Sequence, residues 1–511
     1  MNARLAPIPL TSRQGATIYR HTLSFVLCAA AAELFPKRQL HAGYSLGRAY
    51  YFSFRDGNPF STGELDALRA YMKVFIQRDL PIEKRIISLS DALDYFRTVK
   101  AETAAQLLEQ LGGAERCVNA LGMYLDLYMH PLLCRTGIIE DWELVSYHDG
   151  VLLRYPVLAK KQPSAAPQPE GQGALKLTPD AIDLPGIFAV FSESKAWGRA
   201  AGVYSVAQLN ALVARREIKE FIRIVESYTD KRLSRIADMI CTRRGTVKLV
   251  LIAGPSSSGK TTTAKRLSIQ LKTVGIEPVS ISLDDYYLDP ARVPRDEKGA
   301  PDFECLEALD VPFLNEQLLD LFSGKEITLP SFDFKTGTRK AGRTIRLDQH
   351  KMLVLEGIHG LNNALTSGIA PKNKFKLYAS TLTQLNIDEH NRISTTDNRL
   401  LRRLVRDYQF RGMGAERTLS MWADVQNGAE KHIFTFQNEA DAVFNSALDY
   451  EIAVLKLYAE PLLRSVPPES RQFSEANRLL TMLNYFSPIP SEHVPYLSIL
   501  REFIGGSDFK Y

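Results

Sequence analysis

The sequence predicts an α/β fold in its C-terminal half, with a parallel sheet flanked by helices, and a separate α+β domain before it. Two observations support this. From Val247 onward, apolar runs that end in glycine or acidic residues alternate with helical patterns, as in parallel sheets covered by helices. In the first 155 residues, a long apolar helix is instead followed by an aromatic-rich strand and an amphipathic helix.

Length and composition allow several domains of an ordinary globular protein. At roughly 100–200 residues per domain, 511 residues predict two to four domains. Hydrophobic residues make up 45% and charged residues 24%, which is typical of a globular chain. The net charge of +5, from 63 basic and 58 acidic residues, is too small to indicate a nucleic-acid-binding protein by itself.

The cysteines and the apolar runs indicate the compartment. No CxxC pair occurs, so neither a disulfide framework nor a zinc knuckle is predicted, and a reducing cytoplasm is favoured. No apolar run reaches the roughly 20 residues that a bilayer requires, so we expect no membrane association. The five cysteines lie far apart, at Cys28, Cys117, Cys134, Cys241 and Cys305.

The N-terminal elements are predicted from periodicity and capping. Residues 17–35 indicate a helix and Ala49–Phe54 a strand. A second helix is expected to begin at Thr62, whose hydroxyl would cap it, with Glu64 and Asp66 near its positive end.

A composition break then separates two regions. Lys160–Gly173, which reads KKQPSAAPQPEGQG, predicts a linker or long loop, and Ser205–Cys241 has the apolar spacing of one or two connecting helices. We therefore expect four segments: the α+β domain, a linker with a helical connector, the α/β domain and a helical C-terminal extension, at 1–158, 159–245, 246–465 and 466–511.

Within the α/β region the pattern predicts three strands and two helices before residue 360. In chain order they are strand Leu249–Ala253, helix 260–274, strand Val279–Leu283, helix 306–322 and strand Lys351–Leu355.

The strongest motif directly follows the first of these strands. The run GPSSSGKT matches GxxxxGK[ST], in which backbone N–H groups and a helix N-terminus surround phosphate. Lys260 would neutralise phosphate charge, and Thr261 would place its hydroxyl on Mg²⁺. The predicted nucleotide-binding residues are Gly254, Pro255, Ser256, Ser257, Ser258, Gly259, Lys260, Thr261 and Thr262.

Acidic residues follow the next two strands, where ligands of open α/β sheets bind. Asp284 is predicted to be the base that accepts a proton from an attacking hydroxyl, and Glu356 to be a ligand of Mg²⁺. Both could instead cap the helices that follow, and Asp285 could be a cap or contact a metal-bound water.

A basic helix follows the acids. Arg399, Arg402, Arg403 and Arg406 are spaced three or four residues apart and share one face, and Arg411 continues the series. Such a face could close over a triphosphate and neutralise the charge that develops during transfer, with Arg402, Arg406 and Arg411 as catalytic residues. A solvated or RNA-binding face is the alternative.

Residues from about 247 to 460 resemble the uridine kinase and phosphoribulokinase group of P-loop kinases, through GPSSSGKTT, ISLDDYY, PDFECLEALD, PSFDF, VLEGIHGL and RLLRRLVRDYQFRG. The resemblance implies ATP or GTP with Mg²⁺, and Asp284 as the base for a ribose 5′-hydroxyl. It implies that Glu304 replaces the ribose-binding aspartate. The aromatic residues that it places at the nucleobase are Tyr287, Phe303, Phe332 and Phe334.

The chain departs from that pattern at two places. Lys335-Thr336-Gly337 stands where uridine kinases carry a pyrimidine-reading histidine, and Met413 replaces an arginine of the lid. The resemblance therefore implies the phosphate machinery more strongly than pyrimidine recognition.

The first 155 residues resemble the second N-terminal domain of threonyl-tRNA synthetases, through RHTLSFVLCAAAAELFP, HAGYSLGRAYYFSF and DLPIEKRIISLSDALDYF. That domain edits mischarged tRNA with an HxxxH and a CxxxH pair. Here the four positions are His21, Phe25, Tyr128 and Leu132, so hydrolytic editing is not expected, and His21 is expected to be a packing or surface residue.

The sequence thus favours a kinase that acts on a hydroxyl of a small metabolite, with the 5′-hydroxyl of uridine or cytidine as first choice. A sugar phosphate or another polyol is an alternative acceptor. A nucleotide-gated tRNA-binding protein is an alternative of another class, supported by the basic stretch Arg215–Arg235. The sequence leaves open whether the chain forms a homo-oligomer.

Overall fold

The chain folds into two compact units. The computed structural model describes residues 7–127, 129–158, 175–177, 183–295, 299–333, 338–348 and 350–510. Unit 1 comprises the described residues up to Leu184, together with Lys195–Ala211 and Gln384–Ile393. Unit 2 comprises Pro185–Ser194, Leu212–Thr383 and the described residues from Ser394 onward. The predicted linker 160–173 lies outside the described residues, and the four predicted segment boundaries stay a prediction.

Unit 1 is an α+β unit with two main antiparallel sheets. One sheet has the order β1-β2-β7-β6 and the other the order β3-β4-β5. The helices are α1 (Arg13–Leu34), α2 (Thr62–Gln77), α3 (Leu89–Thr98) and α4 (Glu102–Leu111). The strands are β1 (Leu40–Leu46), β2 (Ala49–Phe54), β3 (Glu83–Ser88), β4 (Glu115–Leu121), β5 (Tyr124–Asp126), β6 (Glu143–Tyr147), β7 (Gly150–Arg154) and the short pair β8 (Val157–Leu158) and β9 (Leu175–Lys176).

Local capping sets where the first helices begin. Helix α1 begins four residues before the predicted start because the Ser12 hydroxyl accepts the Gly15 N–H at 3.0 Å. The expectation that Thr62 caps α2 is wrong. Ser61 is the cap: its hydroxyl accepts the Glu64 N–H at 3.3 Å, and the Glu64 carboxylate accepts the Ser61 N–H at 2.8 Å. This capping box satisfies two helix-end donors at once.

Unit 2 is built on a five-stranded parallel sheet of order β11-β14-β10-β15-β16. Its strands are β10 (Leu249–Ala253), β11 (Glu277–Ser282), β14 (Lys351–Glu356), β15 (Lys374–Ser380) and β16 (Ala442–Asn445), and a separate antiparallel hairpin joins β12 (Glu326–Asp333) and β13 (Thr338–Arg346). Helices with residues in this unit are α5 (Pro185–Ala200), α6 (Val206–Ala214), α7 (Ile218–Cys241), α8 (Lys260–Thr273), α9 (Val311–Phe322), α10 (Thr395–Arg411), α11 (Ala415–His432), α12 (Glu451–Arg464), α13 (Phe473–Leu483) and α14 (Arg501–Ile504).

The α/β prediction for the C-terminal half is confirmed. Strand β10 has the predicted bounds, and it is fully buried, which explains its unbroken apolar sequence. The Ser205–Cys241 stretch forms two helices, α6 and α7, as the pattern allowed.

One predicted helix is shorter than expected. Instead of a helix over 306–322, Leu306–Ala308 forms a single 3₁₀ turn and α9 begins at Val311. Pro312 lies in the first turn of α9, and the Asp310 carboxylate caps it by accepting the Phe313 N–H at 3.3 Å. Proline has no N–H to donate to the carbonyl four residues earlier, so Pro312 fits the first turn of α9 but not the interior of a helix that begins at Leu306, which explains the break.

None of the described helices is long and apolar enough to cross a bilayer. The five cysteines, all among the described residues, are free thiols.

Candidate active site

Three strand ends of unit 2 bring the predicted site residues to one edge of the sheet. Strands β10 and β11 both pair with β14, so that Ile252 and Ser282 each lie beside Glu356 in the register. Parallel strands end at the same edge. The loop after β10 and the acids after β11 and β14 therefore meet there.

The loop after β10 has the backbone of a phosphate-binding loop. A Cβ on Gly254 would lie 2.1 Å from the Ala379 carbonyl oxygen, so only glycine fits. Ser257 and Gly259 have positive φ angles of 62° and 77°, and α8 begins directly afterwards at Lys260. The buried hydroxyls of Ser257 and Ser258 have no hydrogen-bond partner among the described residues. These features fit a nucleotide phosphate, which would supply acceptor oxygens.

The predicted metal ligands lie next to each other. The Glu356 carboxylate accepts the Ser282 hydroxyl at 3.0 Å and the Thr261 hydroxyl at 3.4 Å. Burial, together with the charge of Asp284, raises the pKa of Glu356 to about 7 against the attraction of Lys260. A hydroxyl and a carboxylate are oxygen ligands that suit Mg²⁺, so this pair fits the metal, which would neutralise phosphate charge when bound.

Asp284 lies in a short 3₁₀ turn, Leu283–Tyr286, directly after β11. The residue is exposed at the surface, but the protein around its carboxylate reduces hydration of the charged form and raises its pKa. The positive charges of Lys260, Arg411 and Arg406 act in the opposite direction. Asp285 instead contacts the hairpin: its carboxylate accepts the Phe332 N–H of β12 at 3.1 Å.

Three of the four predicted acceptor-binding aromatic residues lie together. The Tyr287 ring lies 5.8 Å from that of Phe303 and 6.0 Å from that of Phe332, and its hydroxyl donates to the Phe303 carbonyl at 3.1 Å. Phe303 is 39% exposed, which leaves an aromatic face open to solvent. Phe334 and the Lys335-Thr336-Gly337 stretch lie outside the described residues.

Glu304 adds a carboxylate next to this aromatic group. Burial raises its pKa, while the charges of Arg403, Lys260 and Arg399 lower it. Gly428 of α11 packs so closely on this side chain that a Cβ there would lie 2.8 Å from Glu304.

The basic helix is α10, and its arginines fall into two groups by their contacts. Arg402 is fully buried, forms an ion pair with Glu451 at 2.6 Å and donates to the Ser446 carbonyl at 2.8 Å. Arg399 donates to the Ser256 carbonyl at 2.8 Å, and Arg403 to the Ser256 hydroxyl at 2.9 Å. Arg399 and Arg403 therefore hold Ser256 of the phosphate-binding loop by hydrogen bonds, and Glu451 and Ser446 fix the position of Arg402.

Arg406 and Arg411 differ from these residues because they act electrostatically on Asp284. Both pair with the buried Asp407, at 2.9 Å and 3.4 Å, and the Arg411 side chain is 48% exposed. Their positive charges are therefore available at the acid that we predict to be the base.

Three further residues contact the predicted site residues and were missed in the sequence. Glu451 pairs with Arg402, Arg339 of β13 donates to the Tyr286 and Tyr287 carbonyls at 3.1 Å and 3.0 Å, and Glu502 accepts from Thr262. Glu451 lies 49 residues after Arg402 and Glu502 lies 240 residues after Thr262, and no local spacing links such distant positions.

Unit 1 contains the position that resembles the synthetase editing pair. The His21 ring stacks on that of His130, with centroids 3.8 Å apart, and Phe25 is fully buried in the core. Tyr128 lies outside the described residues.

Comparison with known proteins separates the same two regions. Residues 249–453 match the phosphoribulokinase / uridine kinase family. The N-terminal part is similar to threonine–tRNA ligases: the chain is 27% identical to that of Lawsonia intracellularis over 140 residues, which are 27% of this chain and 22% of the relative. The chain therefore spans less than a quarter of that relative's length.

Among solved structures, a possible uridine kinase from Bacillus stearothermophilus is 23% identical with a TM-score of 0.27, over 41% of this chain and 97% of that one. D-glycerate 3-kinase from Cryptococcus neoformans is 14% identical with a TM-score of 0.22, over 55% and 90%. The chain therefore joins a region that matches the model of the phosphoribulokinase / uridine kinase family to an N-terminal part that is similar to threonine–tRNA ligases.

Proposed function

We propose that unit 2 is a Mg²⁺-dependent kinase that transfers the γ-phosphate of ATP or GTP to a hydroxyl of a small metabolite. The observation that carries the proposal is the meeting of the phosphate-binding loop, Asp284 and Glu356 at one edge of the parallel sheet. The family match over residues 249–453 supports the same reaction class.

The residues divide the work of phosphoryl transfer. The loop amides and Lys260 bind the phosphates, and Thr261 and Glu356 are placed to hold Mg²⁺. The acceptor oxygen attacks the γ-phosphorus, the bond from that phosphorus to the β,γ-bridging oxygen breaks, and the acceptor proton passes to Asp284. The raised pKa of Asp284 makes it a stronger base than an ordinary aspartate.

For the acceptor we propose a nucleoside, with the 5′-hydroxyl of uridine or cytidine as the first to test. The aromatic face of Tyr287, Phe303 and Phe332 suits a flat base, and the Glu304 carboxylate next to Phe303 would accept a hydrogen bond from a ribose hydroxyl. A polyol without a base would leave this face unused.

The test is a screen of the full chain with ATP or GTP, Mg²⁺ and a panel of nucleosides, sugar phosphates and cyclitols. The phosphorylated product is detected by mass spectrometry and ADP or GDP release by a coupled assay. We expect a nucleoside 5′-monophosphate as the main product. A polyol phosphate as the best product would overturn the nucleoside assignment, and salt-dependent tRNA binding without any phosphorylated acceptor would overturn the kinase.

D284N tests the proposed base. We expect turnover to fall by roughly 10²–10⁴-fold, because proton transfer is lost, while ADP binding measured by calorimetry changes little. D289N is the matched control, since Asp289 is an exposed carboxylate five residues further on and its known contact is with the Ala291 N–H. Near-normal turnover of D284N would show that another group takes the proton.

A further inference from the structure

The C-terminal segment of the chain places a carboxylate at the N-terminus of the phosphate-binding helix. One Glu502 carboxylate oxygen accepts the Thr262 backbone N–H at 3.1 Å and the Thr262 hydroxyl at 2.6 Å. Both residues belong to unit 2.

Thr262 is the third residue of α8, which begins at Lys260. The first N–H groups of a helix have no partner within the helix and point out of its positive end, where an anion binds. In a GxxxxGK[ST] loop these donors are the ones that face the nucleotide phosphates. The Glu502 carboxylate therefore holds donors that a phosphate would also use.

The backbone around Glu502 is fixed, so that its side chain is the part free to leave. Ile499, Leu500 and Phe503 are fully buried. The Phe503 ring lies under the Arg402 guanidinium, 5.0 Å away, and Ile499 packs against Gly259. Glu502 itself is only partly buried.

Glu502 also acts electrostatically on Glu356, the proposed metal ligand. Its negative charge helps to raise the pKa of Glu356, although burial and the charge of Asp284 have larger effects. A phosphate group that enters beside these carboxylates is repelled until one of them moves or is neutralised.

We propose that Glu502 is a built-in competitor for nucleotide phosphate, and that its carboxylate must leave Thr262 when the nucleotide binds. The inference rests on the proposed nucleotide site of unit 2. The C-terminal segment thereby sets the nucleotide affinity of the kinase through one side chain, while its buried residues stay in place.

The experiment measures ADP binding to the full chain by calorimetry, without added Mg²⁺ so that metal ligation does not contribute. The variants are E502Q, E502A and the control E492Q, which removes a charge that is 76% exposed in the same segment. We expect E502Q and E502A to bind ADP about tenfold more tightly than the wild type, because a charge-assisted competitor is removed. E492Q is expected to match the wild type.

Each outcome decides a different question. Unchanged or weaker ADP binding by folded E502Q would overturn the competitor role and make Glu502 a structural helix cap or a nucleotide ligand. If E502A does not fold, E502Q still gives the answer, because its shape is preserved. If neither the wild type nor the variants bind ADP or ATP, the proposed nucleotide site itself fails, and this inference fails with it.

Discussion

At the scale of the residue, the buried Glu356 carboxylate makes the stability of the protein depend on pH. Its pKa is raised from the ordinary 4.5 to about 7 by burial and by Asp284. The folded protein therefore holds a proton that the unfolded chain releases, and stability from this group is present below pH 4.5 and is lost as the pH rises toward 7. A bound Mg²⁺ would reverse the balance by favouring the charged form.

This environment predicts a pH-dependent metal affinity. Mg²⁺ binding to the nucleotide-bound protein should weaken about tenfold per pH unit below pH 7, because the metal must displace the Glu356 proton. E356Q should remove that dependence, and it should raise the urea midpoint of the metal-free protein at pH 8 but not at pH 4. Mg²⁺ titrations at pH 5.5–8 check the first result. Identical pH profiles for wild type and E356Q would contradict the assignment of Glu356.

At the scale of the element, helix α10 carries both fully buried arginines and more exposed ones. The sequence places them correctly on one helix, because residues three and four apart share a face. It does not show which of them is buried. Arg402 faces Glu451 of α12, and that choice depends on a helix that is distant in the sequence.

Two substitutions in α10 should therefore act differently. R402A leaves the buried Glu451 carboxylate without its partner and should lower the free energy of unfolding by about 3–5 kcal/mol. R411A, at a side chain that is 48% exposed, should change stability by less than about 0.5 kcal/mol and lower turnover about 10²–10³-fold. Urea unfolding and ADP release measure the two effects. A stable R402A protein would contradict the structural role, and full activity of R411A would contradict the catalytic one.

The sequence predicts well those elements whose cause is local. The bounds of β10, the start of α8 after the glycine loop and the acids at the ends of β11 and β14 follow from apolar runs and from one motif. The Ser61 cap and the break before Pro312 are also local, and closer attention to capping and proline rules would have found them. Glu451 and Glu502 could not be predicted, since only the tertiary fold brings Glu451 to Arg402 and Glu502 to Thr262.

At the scale of the whole molecule, unit 1 includes a short segment, Gln384–Ile393, from inside the family-matched region. The Glu389 carboxylate accepts the N–H groups of Thr103 and Ala104 at the start of α4, at 2.8 Å and 3.2 Å. His390 Nδ1 lies 2.8 Å from the Asp126 carboxylate. Burial alone would lower the pKa of His390, but the charge and hydrogen bond of Asp126, together with the charges of Asp388 and Glu389, outweigh burial and raise the pKa to about 9.

This ion pair predicts an alkaline loss of stability in unit 1. Since the folded pKa of His390 lies above the ordinary 6.5, its contribution is fully present below pH 6.5 and is lost as the pH rises through about 9. We expect the free energy of unfolding to fall by about 1–3 kcal/mol between pH 6.5 and 9.5, and H390Q to flatten this decline. Urea unfolding at both pH values measures it. An equally steep decline in H390Q would assign the effect to other groups.

Because unit 1 consists of segments that lie far apart in the chain, the ribosome makes its first and last segments at different times. Its last segment is made long after Ala211, the end of its preceding segment. At about 5–20 residues per second, the ribosome needs roughly 10–40 s to reach Ile393. During that interval the N-terminal unit lacks Glu389 at the start of α4 and His390 beside Asp126. The nascent N-terminal unit therefore cannot reach its final fold until most of the family-matched region, 249–453, has been made.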